Sequence, residues 1–472
     1  MSREKKLILN TIILGLGTVL PRIGTFLILP ILTSALTKTE YGTYDLILTG
    51  LSFILPLISL QIEQAAFRFL LDAKNSSERK RVITNSVIYT FFASVVLCFL
   101  GLIILWNYDI QIKLLIILYA TLDLFYRYIL QVCRGTGQLK QYSQLTIINS
   151  VVSIILTVIL IGRIRMGLSG LLLSLNISVL SATFYGLKVT RISSMISLKE
   201  YNFDSVKKLL RYSVPLLPNS ISWWIVGASD RWIIASVLGI ESNAIYAVSN
   251  KIPNLFNFIY NNFNLAWQES AAKSREDSDI NEYYSTIFNA LYDFLIGMIL
   301  ILITVSPAIF KIFIDESYKA AYYQMPILFI GILFHCFGSF YGGVYIAFKK
   351  SNKVGFSAFL GAIINILINI LLISKIGLYA ASISTMVSYM VIALYRAADI
   401  KRYVSINYNS KKIVFTLALV TGVSIISYLN NFYLNIVNFI FALMFAVIMN
   451  RKIIIGIIVQ FFKGQVKKDY NA

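Results

Sequence analysis

The chain has 472 residues, 57% of them hydrophobic and 14% charged, with a mean hydropathy of +0.73 and a formal net charge of +20. Its apolar residues come in long runs rather than on one face of each helix, which excludes an ordinary soluble domain of about 45–50% apolar content and points to a polytopic membrane protein. In a soluble chain so basic a balance would suggest nucleic acid. Here the charge follows the loops, so no nucleic-acid partner is expected.

The three cysteines, Cys98, Cys133 and Cys336, are scattered and form no CxxC pair. That is neither a disulfide framework nor a metal site, so no metal and no cofactor are expected. The N-terminal MSREKKLILNTIILGLG is basic and then apolar, but its apolar stretch continues past Leu32, too long for a cleaved leader.

In chain order, about fourteen stretches have the length a bilayer needs: 10–36, 43–66, 83–105, 112–133, 143–162, 168–188, 213–238, 244–266, 287–310, 325–348, 355–374, 378–396, 412–429 and 433–449. The expected fold is all-α, with two pseudo-symmetric six-helix bundles and two added C-terminal helices. Domain boundaries are expected at 1–188 for the first bundle and 189–212 for a cytoplasmic linker helix. The second bundle follows at 213–396, and 397–472 holds the two extra helices with a basic tail. The linker segment SLKEYNFDSVKKLLRYS reads as an amphipathic helix lying on the membrane surface.

An even number of spans puts both termini on one side. The loops on that side carry most of the Lys and Arg, from Arg3, Lys5 and Lys6 to the tail residues Arg451 and Lys452. The opposite side has only Lys38, Lys113, Arg163, Arg165, Lys311, Lys319 and Lys375. By the positive-inside rule both termini are expected to be cytoplasmic.

Two features suggest duplication. Leu29–Leu46 aligns with Arg231–Val248 at one constant offset, with Ser34 opposite Ser236, Leu36 opposite Leu238 and Tyr44 opposite Tyr246. Gly167-Leu168 opens the sixth span and Gly377-Leu378 the twelfth. Many transporters are built from such repeats.

Charges at membrane depth cost roughly 2.5–3.5 kcal/mol each on insertion scales, and so mark interiors or wet paths. Arg22 sits near the middle of the first span, between Pro21 and Pro30, which can bend that helix. It reads either as a cation facing an anionic substrate or as the partner of an acid on a neighbouring helix. Asp123 and Arg127 stand at i, i+4 and can neutralise each other. Asp230 and Arg231 are adjacent and point about 100° apart, so at least one reaches another helix or a cavity. Lys251 carries the same two readings as Arg22. Glu63 and Asp293 complete the acids. Proton or cation coupling can be assigned to Glu63, Asp123 or Asp230. His335, the single histidine, reads better as a hydrogen-bonding core residue than as a proton relay. No Walker A loop or HExxH motif is present, and no enzyme is expected.

Several runs resemble the polysaccharide-export branch of the multidrug/oligosaccharidyl-lipid/polysaccharide exporter superfamily. They are Asp230-Arg231-Trp232-Ile233-Ile234, Leu238-Gly239, Ile245-Tyr246 and Asn250-Lys251-Ile252-Pro253. Glu40-Tyr41-Gly42-Thr43-Tyr44 and Phe67-Arg68-Phe69 match further family turns. The resemblance implies a flippase of the O-antigen or capsule type, carrying undecaprenyl-pyrophosphate-linked sugar units outward by alternating access of two bundles around a cationic cavity. The diphosphate would be held by Arg22, Arg231 and Lys251, with Glu63, Asp123, Arg127 and Asp230 as charge or coupling partners. The expected partners are the lipid-linked oligosaccharide, membrane lipids, and a polymerase and chain-length proteins. The alternatives are a peptidoglycan lipid-precursor flippase, a drug/cation antiporter, whose cavity would be richer in acids, and a membrane-embedded oligosaccharide polymerase.

Overall fold

A computed structural model describes residues 23–429, 431–451 and 455. Every regular element among them is helical. Eleven of these helices are long and apolar enough to cross a membrane. The expected spans 10–36, 213–238 and 244–266 are not in that set. The first is described only from Ile23. The second carries Asp230 and Arg231. The third is divided at Asn250 and is rich in asparagine.

Contacts divide the chain into two compact units that meet in sequence at Trp224–Ile225. The first holds α1 (Leu29–Ala35), α2 (Lys38–Ser59), α3 (Ile62–Asp72), α4 (Ser76–Ile104), α5 (Ile110–Gly135), α6 (Leu139–Thr157), α7 (Gly167–Thr190) and α8 (Phe203–Ser213). A π turn, Val158–Arg163, extends α6. The linker helix α8 therefore belongs with the first unit, and the division falls inside the next helix, α9 (Leu217–Val237). In the second unit α9 is followed by α10 (Ile240–Ser249), α11 (Lys251–Lys273), α12 (Ile280–Phe313), α13 (Met325–Ala347), α14 (Ser351–Ile376), α15 (Leu378–Asp399), α16 (Ser410–Tyr428) and α17 (Phe432–Met449). In that unit α15 packs on α13 and α14, and α17 packs along α12.

Local chemistry explains the helix ends. Thr37 starts α2 with a reciprocal capping box to Glu40, satisfying two backbone donors at once. The Glu40 carboxylate also accepts the backbone N–H of Leu168 at 3.1 Å, which ties the starts of α2 and α7 together. Gly167 stands at φ +60°, and a Cβ there would lie 2.1 Å from Glu40 Oε1. The glutamate of the EYG run is thus a structural clamp. Gly377 opens α15 at φ +58°, nearly the angle of Gly167, and this shared opening supports the repeat read from the sequence.

One break was not expected. The span placed at 43–66 is two helices, α2 and α3, separated by Leu60 (φ +47°) and Gln61 (φ +54°). Successive left-handed residues other than glycine are strained, at about 1–2 kcal/mol each. The Gln61 backbone N–H donates to Ser59 Oγ at 3.1 Å, and Gln61 Nε2 donates to Ser220 Oγ at 2.7 Å. These bonds hold the break in place.

Candidate functional site

Each unit buries its own charged cluster. In the first, Asp123 and Arg127 lie on α5, one turn apart. The guanidinium Nε donates to Asp123 Oδ2 at 2.8 Å, so the expected i, i+4 pair is present. The pair is lopsided: the Asp123 side chain is 9% exposed and that of Arg127 48%. Glu63, in the first turn of α3 just past the left-handed break, lies within electrostatic range of Arg127. The cluster therefore presents a guanidinium to open space and keeps one of its carboxylates inside.

The second unit is organised around Asp230, which is 2% exposed. Its carboxylate accepts three hydrogen bonds from three other helices. Tyr246 Oη on α10 donates at 3.0 Å, Asn369 Nδ2 on α14 at 2.9 Å, and Thr385 Oγ1 on α15 at 2.5 Å. One of the adjacent pair does reach across to its neighbours, as the 100° offset requires. Each of these three donors is neutral. Ser229 and Asn365, 3.4 Å apart, continue the polar cluster, with Asn365 in turn 3.4 Å from Ser384.

Arg231 is also buried, at 7% exposure. Its Nη1 donates to the Gly227 carbonyl at 3.0 Å, and its guanidinium lies 6.0 Å from the centre of the Tyr246 ring. Lys251 is the first residue of α11, at the helix break, and is partly buried. Arg22 lies outside the described residues. Asp293 on α12 is paired with Lys412 on α16. His335 packs edge-on against Tyr389, ring centres 4.8 Å apart.

Sequence reasoning missed three things here. It did not find Tyr246, Asn369 and Thr385 as partners of Asp230; only Tyr246 carried a signal, as a repeat match to Tyr44. It did not find the break at Leu60–Gln61. The third is the burial of Arg396, which stands in the last turn of α15, at the span end expected, and is only 1% exposed. This arginine donates to Ser357 Oγ (2.8 Å), Gly338 O (2.8 Å) and Val354 O (3.1 Å), pinning α15 to α13 and α14. The small residues opposite were the available clue, since a Cβ at Gly342 would lie 2.8 Å from its Nη1.

A cavity of about 820 Å³ opens between the end of α12, the Glu316–Gln324 turn and the start of α17. Phe310, Ile312, Tyr322, Phe432 and Phe439 line it, with Lys311 and Lys319 beside them.

With this geometry in view, comparison with known proteins places the chain. The family described as "Polysaccharide biosynthesis protein" matches residues 7–268, more than half of its length. The chain belongs to this family. An uncharacterized membrane protein of Methanocaldococcus jannaschii is 25% identical over 309 residues, 60% of this chain and 70% of that one. Among solved structures, the lipid II flippase MurJ in an inward closed conformation aligns with a TM-score of 0.69 at 15% identity, covering 94% of this chain and all of that one. A multidrug resistance MATE family transporter of the MOP superfamily, inward-facing, aligns at 0.65 and 14% identity over 83% of this chain and 95% of that one. A MOP superfamily transporter from Pyrococcus furiosus, described as having a binding pocket of reverse polarity, aligns at 0.60 and 14% identity over 84% of this chain and 96% of that one. These likenesses establish the fold: a multi-pass helical membrane protein with the helical architecture that these transporters share.

Proposed function

We propose that this family member is a flippase that moves undecaprenyl-pyrophosphate-linked oligosaccharide units from the inner to the outer leaflet of a bacterial inner membrane by alternating access. The observation that carries the reading is Arg127. It is a guanidinium at membrane depth whose side chain is 48% exposed although its carboxylate partner is buried. Such a group can receive a phosphate oxygen without giving up Asp123, because a guanidinium has five N–H donors in a fixed fork. Arg22 and Lys251 join it as diphosphate ligands in this proposal. Arg231 joins only in a conformation in which it leaves the Gly227 carbonyl. The 820 Å³ cavity beside α17 suits a hydrocarbon chain, with Lys311 and Lys319 available to a headgroup.

Asp230 is assigned to coupling rather than to the substrate. A carboxylate held by three neutral donors and enclosed by protein is suited to exchange a proton or a monovalent cation, and unsuited to a diphosphate. Surface polysaccharide in cells lacking their own copy tests the assignment. Arg22→Ala, Arg231→Ala, Lys251→Ala and the paired change Arg127→Ala/Asp123→Asn should each reduce it when compared at matched protein level. Full restoration by all four variants refutes the assignment.

The second reading is a peptidoglycan lipid-precursor flippase. It is favoured by the alignment with MurJ over 94% of this chain. Rescue of cells depleted of their lipid II flippase would select it. Against a polymerase stand the short connections on the proposed outer side: 105–109, 164–166 and 314–324.

A further inference from the structure

The linker helix α8 carries charge that the transport reading does not use. Asp204, Lys207, Lys208 and Arg211 fall at i, i+3, i+4 and i+7, one stripe along the helix. With Leu210 and Val214 they line a cavity of about 500 Å³. Val206 and Leu209 point the other way and are buried, Leu209 against Ile62 and Ala65 of α3. Lys208 Nζ stands 5.6 Å from the Phe69 ring centre, so the stripe is anchored at one point. None of the ion pairs found among the described residues involves Lys207, Lys208 or Arg211.

A basic stripe on an amphipathic helix is usually a solvated face. Two neighbours argue otherwise here. Leu198 and Phe203, just before and at the start of the helix, are 78% and 69% exposed. Large apolar side chains beside a cationic stripe are the arrangement of a helix in the membrane interface, with apolar groups below the phosphates and cations level with them. The net charge of the stripe is +2, from three cations and one acid, and so complementary to an anionic surface.

We infer that α8 is a binding site for the headgroup of an anionic phospholipid, a phosphodiester such as phosphatidylglycerol. The position of α8 gives the site a consequence. It packs directly on α3, whose first residue follows the left-handed pair Leu60–Gln61, and Phe69 of α3 meets Tyr212 edge-on at 6.0 Å. A headgroup held by α8 therefore bears on the helix that carries Glu63. The inference takes the cytoplasmic placement of the linker from the topology proposed above. Its test needs neither that topology nor transport.

The full chain in detergent is mixed with phosphatidylglycerol or phosphatidylcholine of matched acyl chains, and retained lipid is counted by native mass spectrometry. Each cation near an anionic surface contributes enough that two net charges favour phosphatidylglycerol roughly 30-fold. Lys207→Gln/Lys208→Gln/Arg211→Gln should abolish the preference while the melting temperature stays unchanged. Lys349→Gln/Lys350→Gln/Lys353→Gln, in another basic loop, should retain it. Leu198→Ser/Phe203→Ser should weaken binding of both lipids. An unchanged preference in the α8 triple variant overturns the inference, as does equal binding of the two lipids by the native chain. Displacement of phosphatidylglycerol by an equal concentration of soluble glycerol phosphate also overturns it, in favour of a free-phosphate site.

Discussion

Removing the Thr385 hydroxyl should weaken the second unit chiefly through its bond to Asp230. Thr385 Oγ1 donates to Asp230 Oδ2 at 2.5 Å, and Thr385→Val keeps the shape of the side chain while deleting that donor. A hydrogen bond to a charged group is worth about 1.5–3 kcal/mol and a neutral one about 0.5–1.5 kcal/mol. Inside membranes the unfolded reference also finds partners, and measured couplings average about 0.6 kcal/mol with a maximum near 1.7. For an ionised carboxylate with two further donors, Tyr246 and Asn369, the upper end applies, so a coupling of about 1.5 kcal/mol between Thr385 and Asp230 is expected. The assay is reversible unfolding in mixed micelles of Thr385→Val, Asp230→Asn and the double variant. If the single effects add to within about 0.3 kcal/mol, as independent sites do, the hydrogen bond to a charged Asp230 is refuted. A coupling near 0.5 kcal/mol would instead mean that the carboxyl is protonated in the resting protein.

Three other outcomes follow from the geometry. Gly167→Ala should destabilise the chain by about 2 kcal/mol or more, because it adds left-handed strain and drives a Cβ into Glu40. Gly137→Ala, at φ +75° with nothing within 4 Å, should cost only the strain, about 1 kcal/mol; equal melting shifts would refute the clamp. Arg127→Gln should leave the Asp123 carboxylate buried without its guanidinium and lower both folded yield and surface polysaccharide. Adding Asp123→Asn should recover yield but not polysaccharide, and recovery of both would reduce the pair to a structural role. Arg396→Met should cost about 1–3 kcal/mol in the same micelle assay by deleting bonds that join three helices, and Arg396→Lys should recover only part, since an ammonium cannot span Ser357, Gly338 and Val354 together.

Most span boundaries were legible because hydrocarbon length and apolar run length are the same quantity. α13 begins at Met325, where the sequence reading began the span, and α17 ends at Met449, as expected. The break in the second span was not legible, for a physical reason. Pro56 lies within α2 without ending it, and the residues that do turn left-handed, Leu60 and Gln61, carry no local signal for it. Their conformation is held by the bond Gln61 donates to Ser220, far along the chain, together with the one its backbone N–H donates to Ser59. Asp230 shows the same division. That it must reach a neighbouring helix followed from its angle to Arg231. Which donors it reaches, on α10, α14 and α15, depends on packing that only the folded unit supplies. The burial of Arg396 was not legible, because an arginine at a span end reads as exposed; glycines on α13 make room for it.

The two clusters show how a duplicated scaffold can carry unlike chemistry. Both units start a helix at a glycine of positive φ, Gly167 and Gly377. Their charges differ. The first unit keeps an acid and a base together and exposes the base, an arrangement that attracts an anion while limiting the desolvation cost to one buried carboxylate. The second unit encloses its acid among three neutral donors, with the Arg231 guanidinium within electrostatic range and donating to the Gly227 carbonyl. The flippase proposed above, which would take up a diphosphate and be reset by an ion, calls for both properties. Placing them in separate units allows each to be tuned by substitutions that leave the other's packing untouched.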